Sequence, residues 1–308
     1  MTSLMRFKER TMSISAKDVK KLRDLTGAGM MDCKKALVET DGDVDAAVEY
    51  LQVKGMAKAK KKAGRTAAQG LVSVWTNADA TAAALVEVNS ETDFVARNEQ
   101  FISFVDTVTT ALGEAGVENI EAAESVKIDG KDLETVVQEQ IATIGENIKV
   151  RRVHRFEAND GFVGTYIHHG SQVGVLVAVS GEKNDTTEEF ARDIAMHVAA
   201  MKPAYLTPED VSEEAAEKQA GIFHAQLIEE GKPEKIIPRI MEGKMKKWRN
   251  ESSLLEQAFV KDTDLTVRQH QDQVGDVKLT GFVRFEVGEG IEKDEANLAD
   301  EVAAALKG

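Results

Sequence analysis

Two stretches of the sequence show the same order of elements, and this repetition constrains the fold more than any other feature. Each stretch has two β-type runs separated by a turn, followed by an apolar pattern with helical spacing. The runs are 70–75 and 84–88 in the first copy, and 161–166 and 173–179 in the second. Each copy therefore predicts a β-hairpin covered by one helix, and a later run at 281–287 is expected to complete the second sheet. The apolar positions of the two covering helices are Phe101, Phe104, Val105, Val108, Leu112, Phe190, Ile194 and Val198.

The predicted fold class is α+β, with a core in two subdomains. The first subdomain is expected to span residues 70–153 and to include a helix from about Leu133 to Ile144. The second is expected to combine residues 154–206 with residues 257–291, on either side of an inserted segment.

The insertion, residues 207–256, is predicted to form a coiled-coil arm that reaches another protein. Two charged, helix-favouring stretches, 209–230 and 234–250, are separated by a Gly-Lys-Pro sequence at 231–233, which favours a helix stop followed by a start. Pro238 is expected to mark a helix start or a kink, because its ring lacks a donor and clashes with the preceding turn. The residues expected to face each other are Ala215, Ile222, Phe223 and Ile228 on one helix and Ile236, Ile237, Ile240 and Met241 on the other.

Before the core, residues 14–53 are predicted to form a domain of three short helices. Ser15 caps the first helix, with Asp18 in the capping-box position. A Gly-rich break leads to a second helix over residues 30–39, and a further turn leads to the third. The positions expected to form the core of this domain are Val19, Leu22, Leu25, Cys33, Ala36, Leu37, Val44, Ala47, Val48 and Leu51.

Such a small domain has little core of its own, so apolar surface at the start of its second helix is a candidate for sharing with a partner. Met30 and Met31 are the candidate residues, since methionine suits adaptable contacts. The alternative is that they fill gaps in the core. Cys33 is expected to be a small buried hydrophobe.

Three further segments complete the domain plan. Residues 1–13 have no apolar periodicity and are expected to be a disordered extension. Residues 54–69 carry six basic side chains without an acidic one and are expected to be a basic linker or a solvated helix end, with a phosphate-binding patch as the alternative. Residues 292–308 are predicted to form a C-terminal helical module, with its helix at 294–306.

One aromatic residue, Phe94, lies in the connection between the strand at 84–88 and the helical pattern that begins after Asn98. Loops run over the surface, and an aromatic side chain between Asp93 and Val95 is better suited to entering a partner than to filling its own core. The alternative is that Phe94 folds back as a lid on the sheet.

Composition limits the compartment and the partners. The chain has 39 Lys and Arg against 53 Asp and Glu, and the net charge of −14 disfavours non-specific binding to nucleic acid or anionic lipid. The single cysteine excludes an internal disulfide framework and fits a reducing compartment. No apolar run approaches the ~20 residues of a membrane span, and the first residues lack the apolar core of a signal peptide. We therefore expect a cytoplasmic protein without membrane or direct nucleic-acid contacts.

The residue types that usually form catalytic centres follow no recognisable motif. The six histidines show no metal-ligand spacing with acidic residues, and the adjacent pair His168 and His169 would point to opposite faces of a strand. The sequence contains no Walker-type loop, nucleophile elbow or paired-carboxylate motif. It therefore predicts a binding protein that is not an enzyme and uses neither cofactor nor metal.

Five motifs resemble, in sequence and in order, the bacterial elongation factor Ts family. They are the segment 22–37, the loop Thr92-Asp-Phe-Val95, the turn at 144–147, and the segments 194–200 and 281–290. The resemblance extends from residue 14 to about residue 306. It implies a guanine-nucleotide exchange factor for elongation factor Tu, in its GDP-bound and nucleotide-free forms. It also implies a three-helix N-terminal domain, a two-part core, an inserted coiled-coil arm and a C-terminal helical module.

The resemblance also implies roles for particular residues. In that family, the loop that matches residues 92–95 enters between two helices of the GTPase domain and disturbs its magnesium site. The matching positions imply Lys34, Gly145 and His169 as further partner contacts. Position 168 departs from the family pattern because it is a second histidine.

Two other possibilities follow from the residues. A ribosome- or RNA-associated factor would use the basic segment 54–65 and would bind RNA with a steep salt dependence, which the net charge of −14 disfavours. Self-association through the arm is a second possibility that the sequence leaves open.

Overall fold

A computed structural model describes residues 14–292 of the chain. In chain order, the helices are α1 Ala16–Thr26, α2 Met30–Glu39, α3 Val44–Lys62, α4 Asp93–Ala96, α5 Glu99–Glu114, α6 Ile120–Ala123, α7 Leu133–Ile144, α8 Asp185–Met201, α9 Glu213–Glu229, α10 Ile237–Ser252 and α11 Val267–Val274. The strands are β1 Gln69–Thr76, β2 Ala82–Ser90, β3 Lys127–Ile128, β4 Lys131–Asp132, β5 Ile148–Glu157, β6 Gly161–Ile167, β7 Val173–Ser180, β8 Ala258–Phe259, β9 Asp262–Thr266 and β10 Lys278–Glu286. The extension expected at 1–13 and the helix expected at 294–306 lie outside the described residues.

Two three-stranded antiparallel sheets form the core, and they confirm the predicted repetition. The first sheet has the order β1-β2-β5 and is followed after β2 by the covering helix α5; the second has the order β10-β7-β6 and is covered by α8. β10 pairs with β7 from Lys278 opposite Ser180 to Glu286 opposite Val173, so the late strand completes the second sheet as expected. β5 continues to Glu157, and the first sheet therefore extends past the boundary predicted at residue 153. The fold class is α+β.

The two sheets pack face to face, each with its covering helix on the outer side. In β2, Val86 and Val88 pack against α5, whereas Leu85 on the opposite face packs with Leu176 and Phe285 of the second sheet. β2 is buried on both faces along its whole length. This explains why its sequence reads as a nearly continuous apolar run and not as an alternation.

A buried carboxylate joins the two sheets at the edge of this interface. Glu87 of β2 is 0% exposed and is paired with Arg151 and Arg152 of β5. It also accepts a hydrogen bond of 2.8 Å from the backbone N–H of Gly288, two residues after the end of β10. Burial alone would raise the pKa of the Glu87 carboxyl, but the donors at Gly288, Asn89 and Arg152 outweigh burial and hold that pKa below its ordinary value.

The three-helix domain at the N-terminus forms largely as predicted. Ser15 and Asp18 make the capping box of α1. Val19 and Leu22 are buried, but the expectation that Leu25 would join them is wrong: its side chain is 63% exposed. Leu25 lies beyond the rim of the small core, where it lines a cleft between this domain and α7.

The third helix continues through most of the expected basic linker. α3 extends to Lys62, so for residues 54–62 the solvated helix end is confirmed and the linker is wrong. The segment contains alanine and lysine, which favour helix, and lysines in the last turn interact favourably with the helix dipole. α3 crosses α7 where Gly55 lies against Ala142: a Cβ added at Gly55 would be 2.7 Å from the Ala142 Cβ.

This crossing predicts opposite effects for the same substitution in two helices. Gly55→Leu should lower the free energy of unfolding by about 1–3 kcal/mol, because the added side chain overfills the contact between α3 and α7. Gly221→Leu, in α9, where an added Cβ meets nothing within 4 Å, should leave it unchanged or raise it by up to ~1 kcal/mol. Urea denaturation of the two variants tests this, and an equal stability for both would contradict it.

The inserted arm is a helical hairpin, and its second helix begins where the proline requires. α10 starts at Ile237 with Pro238 in its first turn, as predicted, so no helical hydrogen bond is lost there. The predicted contact set is partly wrong, because Ile222, Ile228 and Ile236 are exposed. The inward positions of α9 are instead Ala216, Ala220, Phe223 and Leu227, whose spacing of four, three and four residues forms one face of a helix.

Within residues 14–292, no helix has the length and apolar character that crossing a membrane requires.

Candidate protein-binding site

Phe94 projects from a short helix between β2 and α5. Its side chain is 80% exposed, although it is large and apolar. Thr92 caps the start of the short helix, and within the helix Val95 packs against the core of the first sheet and Ala96 is buried. The loop is therefore anchored around an outward-facing phenylalanine, which rules out the alternative in which Phe94 covers the sheet.

Asp93 stands beside Phe94 on the same surface. Its carboxylate pairs with Arg97 at 2.9 Å, one helical turn away, and both side chains are largely exposed. An exposed pair of this kind contributes little to stability and is easily exchanged for another partner. The loop thus presents one apolar and one anionic group side by side.

The turn at 145–147 supports this loop directly. The Glu146 carboxylate accepts hydrogen bonds from the Thr92 backbone N–H at 3.0 Å and from the Thr92 hydroxyl at 2.7 Å. In the opposite direction, Glu91 accepts a hydrogen bond of 2.6 Å from the backbone N–H of Asn147. The two segments that were singled out separately in the sequence therefore hold each other.

Gly145 ends α7 in the left-handed conformation, with φ at +90°, which glycine adopts without strain. Its carbonyl accepts a hydrogen bond from Lys62 at the end of α3. Asn147 donates from its side-chain amide to the Arg65 carbonyl at 2.7 Å. The structure thus brings Gly145, the loop at 92–95 and the end of the three-helix domain into one continuous region.

Met30, Met31 and Lys34 lie on the exposed side of α2. The two methionines are 56% and 74% exposed, so the alternative in which they fill the core is wrong. The turn that precedes α2 approaches the core, since a Cβ added at Gly27 would lie 3.1 Å from Thr143 at the end of α7. The start of the helix that carries the methionines therefore lies near the end of α7.

His169 lies apart from these residues, on the second sheet. The pairing of β6 with β7 ends at Ile167, and both histidines lie in the following turn, so the expectation that they would occupy opposite faces of a strand is wrong. His168 is hydrogen-bonded to the Tyr166 hydroxyl at 2.9 Å, whereas the His169 side chain is exposed. No contact between His169 and the loop at 92–95 is seen in the described part of the chain.

The buried histidine of the second subdomain has a structural environment. His197 is fully buried; its Nε2 is 2.9 Å from the Gln257 side chain, and its Nδ1 accepts a hydrogen bond of 3.1 Å from the Val260 backbone. Burial lowers the pKa of His197 and favours the neutral ring. Among residues 14–292, no cluster of three or more His, Cys, Asp or Glu side chains could hold a metal ion.

The family model described as elongation factor TS matches residues 91–289, from the loop through the arm to the end of the second sheet. An elongation factor Ts from Halothermothrix orenii is 51% identical over 294 residues, which cover 94% of this chain and 98% of that protein. The chain belongs to the elongation factor Ts family. Elongation factors Ts from Brucella anthropi and Alkalilimnicola ehrlichii are 50% and 48% identical, each over 96% of this chain and 100% of the relative. As a member of this family, the chain is an elongation factor of translation and acts in protein biosynthesis.

The residues that sequence reasoning missed are the supports of the loop. The turn at 144–147 was recognised as a motif, but only Gly145 received a role, and Glu91 and Glu146 received none. A signal was available, because an acidic side chain immediately before an N-capping threonine and another within a glycine turn are both suited to accepting backbone donors. The sequence does not show that the two segments meet, since more than fifty positions separate Thr92 from Glu146.

Proposed function

We propose that this chain is a guanine-nucleotide exchange factor for elongation factor Tu. In this proposal the loop at residues 92–95 enters the GTPase and disturbs its nucleotide and magnesium site, so that GDP leaves. The observation that carries the proposal is Phe94: a large apolar side chain, 80% exposed, on a loop that hydrogen bonds hold in place. An exposed apolar side chain on a fixed loop fits an anchor that is buried only in a complex.

Exchange of this kind needs no covalent chemistry. GDP and the factor bind the GTPase with negative coupling, so each weakens the binding of the other. The factor speeds exchange by stabilising the nucleotide-free state. We therefore propose that the chain acts as a binding protein in the cytoplasm, without a cofactor or a metal of its own, and that it is not an enzyme in the chemical sense.

The loop alone cannot supply the whole coupling. Burying one phenylalanine stabilises a complex by ~1.5–3 kcal/mol, which corresponds to roughly one to two factors of ten in an equilibrium constant. We propose that the remainder comes from contacts at Met30, Met31, Lys34, Gly145 and His169. Met30, Met31, Lys34 and His169 are exposed, and Gly145 is half-buried beside the loop.

A role in RNA binding through the basic segment is less well supported. Lys58 pairs with Asp32 at 3.0 Å, Lys62 donates to the Gly145 carbonyl, and Arg65 pairs with Glu91 at 3.4 Å. Three of the six basic side chains of the segment thus have partners within the protein. Self-association through the arm stays a prediction.

The proposal predicts that small amounts of the chain accelerate GDP release. Elongation factor Tu loaded with fluorescent GDP should release it much faster with the chain at one-tenth of its concentration, because each factor molecule acts repeatedly. A guanine-nucleotide-binding protein of another family, loaded in the same way, is the control and should show no change. If release from elongation factor Tu is not accelerated while the chain binds RNA with a steep salt dependence, the RNA-associated function is favoured instead.

A further inference from the structure

Thr92 connects β2 to the short helix with Phe94, and the Glu146 carboxylate accepts two hydrogen bonds from Thr92. The Thr92 backbone N–H donates to one oxygen of Glu146 at 3.0 Å, and the Thr92 hydroxyl donates to the other oxygen at 2.7 Å. A carboxylate that uses both oxygens on one residue fixes the orientation of that residue as well as its position.

The same hydroxyl also begins the helix that carries Phe94. Thr92 Oγ1 accepts a hydrogen bond of 3.4 Å from the Val95 backbone N–H, so its proton points to Glu146 and a lone pair points to α4. α4 has only four residues, and a helix of this length has no stability of its own. The position of Phe94 therefore depends on Thr92, which Glu146 holds together with the Ser90 hydroxyl, a donor to the Thr92 carbonyl at 3.0 Å.

Glu146 lies in a turn that is itself hydrogen-bonded to the end of α3 and the residues that follow it. Asn147 is buried and donates to the Arg65 carbonyl at 2.7 Å, and Lys62 donates to the carbonyl of Gly145. These bonds tie the turn to the end of α3. The turn is the support, and the loop with Phe94 is the part that it supports.

We infer that Glu146 is a positioning residue for nucleotide exchange: it keeps Phe94 projecting before the partner arrives. This inference rests on the proposed exchange function. A loop that must be ordered on binding costs free energy, whereas a loop held in advance does not. Without Glu146, only a fraction of the molecules presents Phe94 correctly at any time, and the apparent rate of nucleotide exchange falls to that fraction of its original value. Glu146 acts through Thr92 and needs no contact with the partner.

The first measurement is made on the free protein. Glu146→Ala should raise amide hydrogen exchange selectively in residues 92–97, while the protected strands of both sheets keep their rates. Glu139→Ala is the matched control, because Glu139 lies on α7, the helix that leads into the turn with Glu146, and its carboxylate pairs with Lys131 on the surface. The control should leave residues 92–97 unchanged.

The second measurement is a double-mutant cycle on GDP release from elongation factor Tu. Glu146→Ala should slow release by about fivefold or more in the wild-type background, and by less than about twofold when Phe94 is already alanine. Glu146→Gln should fall between wild type and Glu146→Ala, since the glutamine oxygen still accepts one of the two donors. A purely structural role of Glu146 would instead give the same loss in both backgrounds.

Each outcome decides the inference. Equal losses with and without Phe94, or unchanged hydrogen exchange at 92–97 in Glu146→Ala, would overturn it. If the wild-type chain does not accelerate GDP release from elongation factor Tu, the proposed function fails. Amide hydrogen exchange alone then decides whether Glu146 holds the loop. Faster amide hydrogen exchange confined to residues 92–97 would still support that role. Faster hydrogen exchange throughout the first sheet would reject it.

Discussion

Replacing Glu87 by alanine should lower the free energy of unfolding by about 3–5 kcal/mol, the cost of breaking a buried ion pair by removing one partner. Glu87 is fully buried, whereas the side chains of Arg151 and Arg152 remain one-fifth to one-quarter exposed. The variant leaves the Arg151 guanidinium without its carboxylate, leaves Arg152 with only its longer carboxylate contact of 3.4 Å to Glu289, and leaves the Gly288 N–H without its acceptor. It therefore weakens the first sheet and its attachment to the second at the same point.

The matched control is Glu157→Ala on the neighbouring strand β5. Glu157 pairs with Arg155, but its side chain is 62% exposed, so its removal should change the free energy of unfolding by no more than ~1 kcal/mol. Urea denaturation of both variants measures the difference. Equal stabilities for the two would show that the Glu87 cluster does not join the sheets.

The lowered pKa of Glu87 adds a dependence on pH. Its carboxylate is favoured in the folded protein, so its contribution to stability is complete above the ordinary carboxyl pKa of 4.5 and is lost as pH falls toward the lowered value. In Glu87→Gln this loss is absent, because glutamine does not titrate. The difference in stability between wild type and Glu87→Gln should therefore shrink below about pH 4.5.

Local chemistry in the sequence was sufficient for much of the fold. The capping box at Ser15, the apolar face of α5 and the constraint of Pro238 each act within a few residues, and each is found as predicted. The repeated hairpin and helix could likewise be recognised from spacing alone. In each case the interacting residues are neighbours in the chain.

The parts that could not be predicted depend on contacts between distant segments. Glu87 lies in an apolar strand, where sequence pattern alone would place a charge toward solvent, but the second sheet covers that face. Similarly, Leu25 follows the helical stripe of α1 but is exposed, because the core of that domain is too small to reach it. When two segments far apart in the chain pack together, the hydrophobic pattern within each segment does not show that contact.

The candidate site likewise contains some residues that the sequence predicts and others that only the structure identifies. The exposure of Phe94 could be argued from its place between a strand and a helix. Lys34, Gly145 and His169 came only from the family resemblance, and their roles remain predictions. Glu146 required the structure, since its partner Thr92 lies on another element.

Phe94→Ala should slow GDP release from elongation factor Tu by about tenfold or more, because the lost burial of ~1.5–3 kcal/mol falls on the nucleotide-free complex and not on the free protein. The free energy of unfolding should change by no more than ~0.5 kcal/mol, since the side chain is already 80% exposed in the free chain. Asp93→Ala should act in the same direction if its carboxylate helps to disturb the magnesium site.

The control for surface hydrophobicity is Val260→Ala, which removes an exposed apolar side chain from the turn between β8 and β9 in the second subdomain. It should alter neither release nor stability. GDP release and urea denaturation, measured side by side for the three variants, separate the effects on binding from those on folding. Phe94→Ala could instead unfold readily while each folded molecule still accelerates GDP release normally. In that case Phe94 stabilises its own fold, and another residue enters the partner. If Val260→Ala slows release as much as Phe94→Ala, exposed apolar area in general drives the complex, and the loop has no special role.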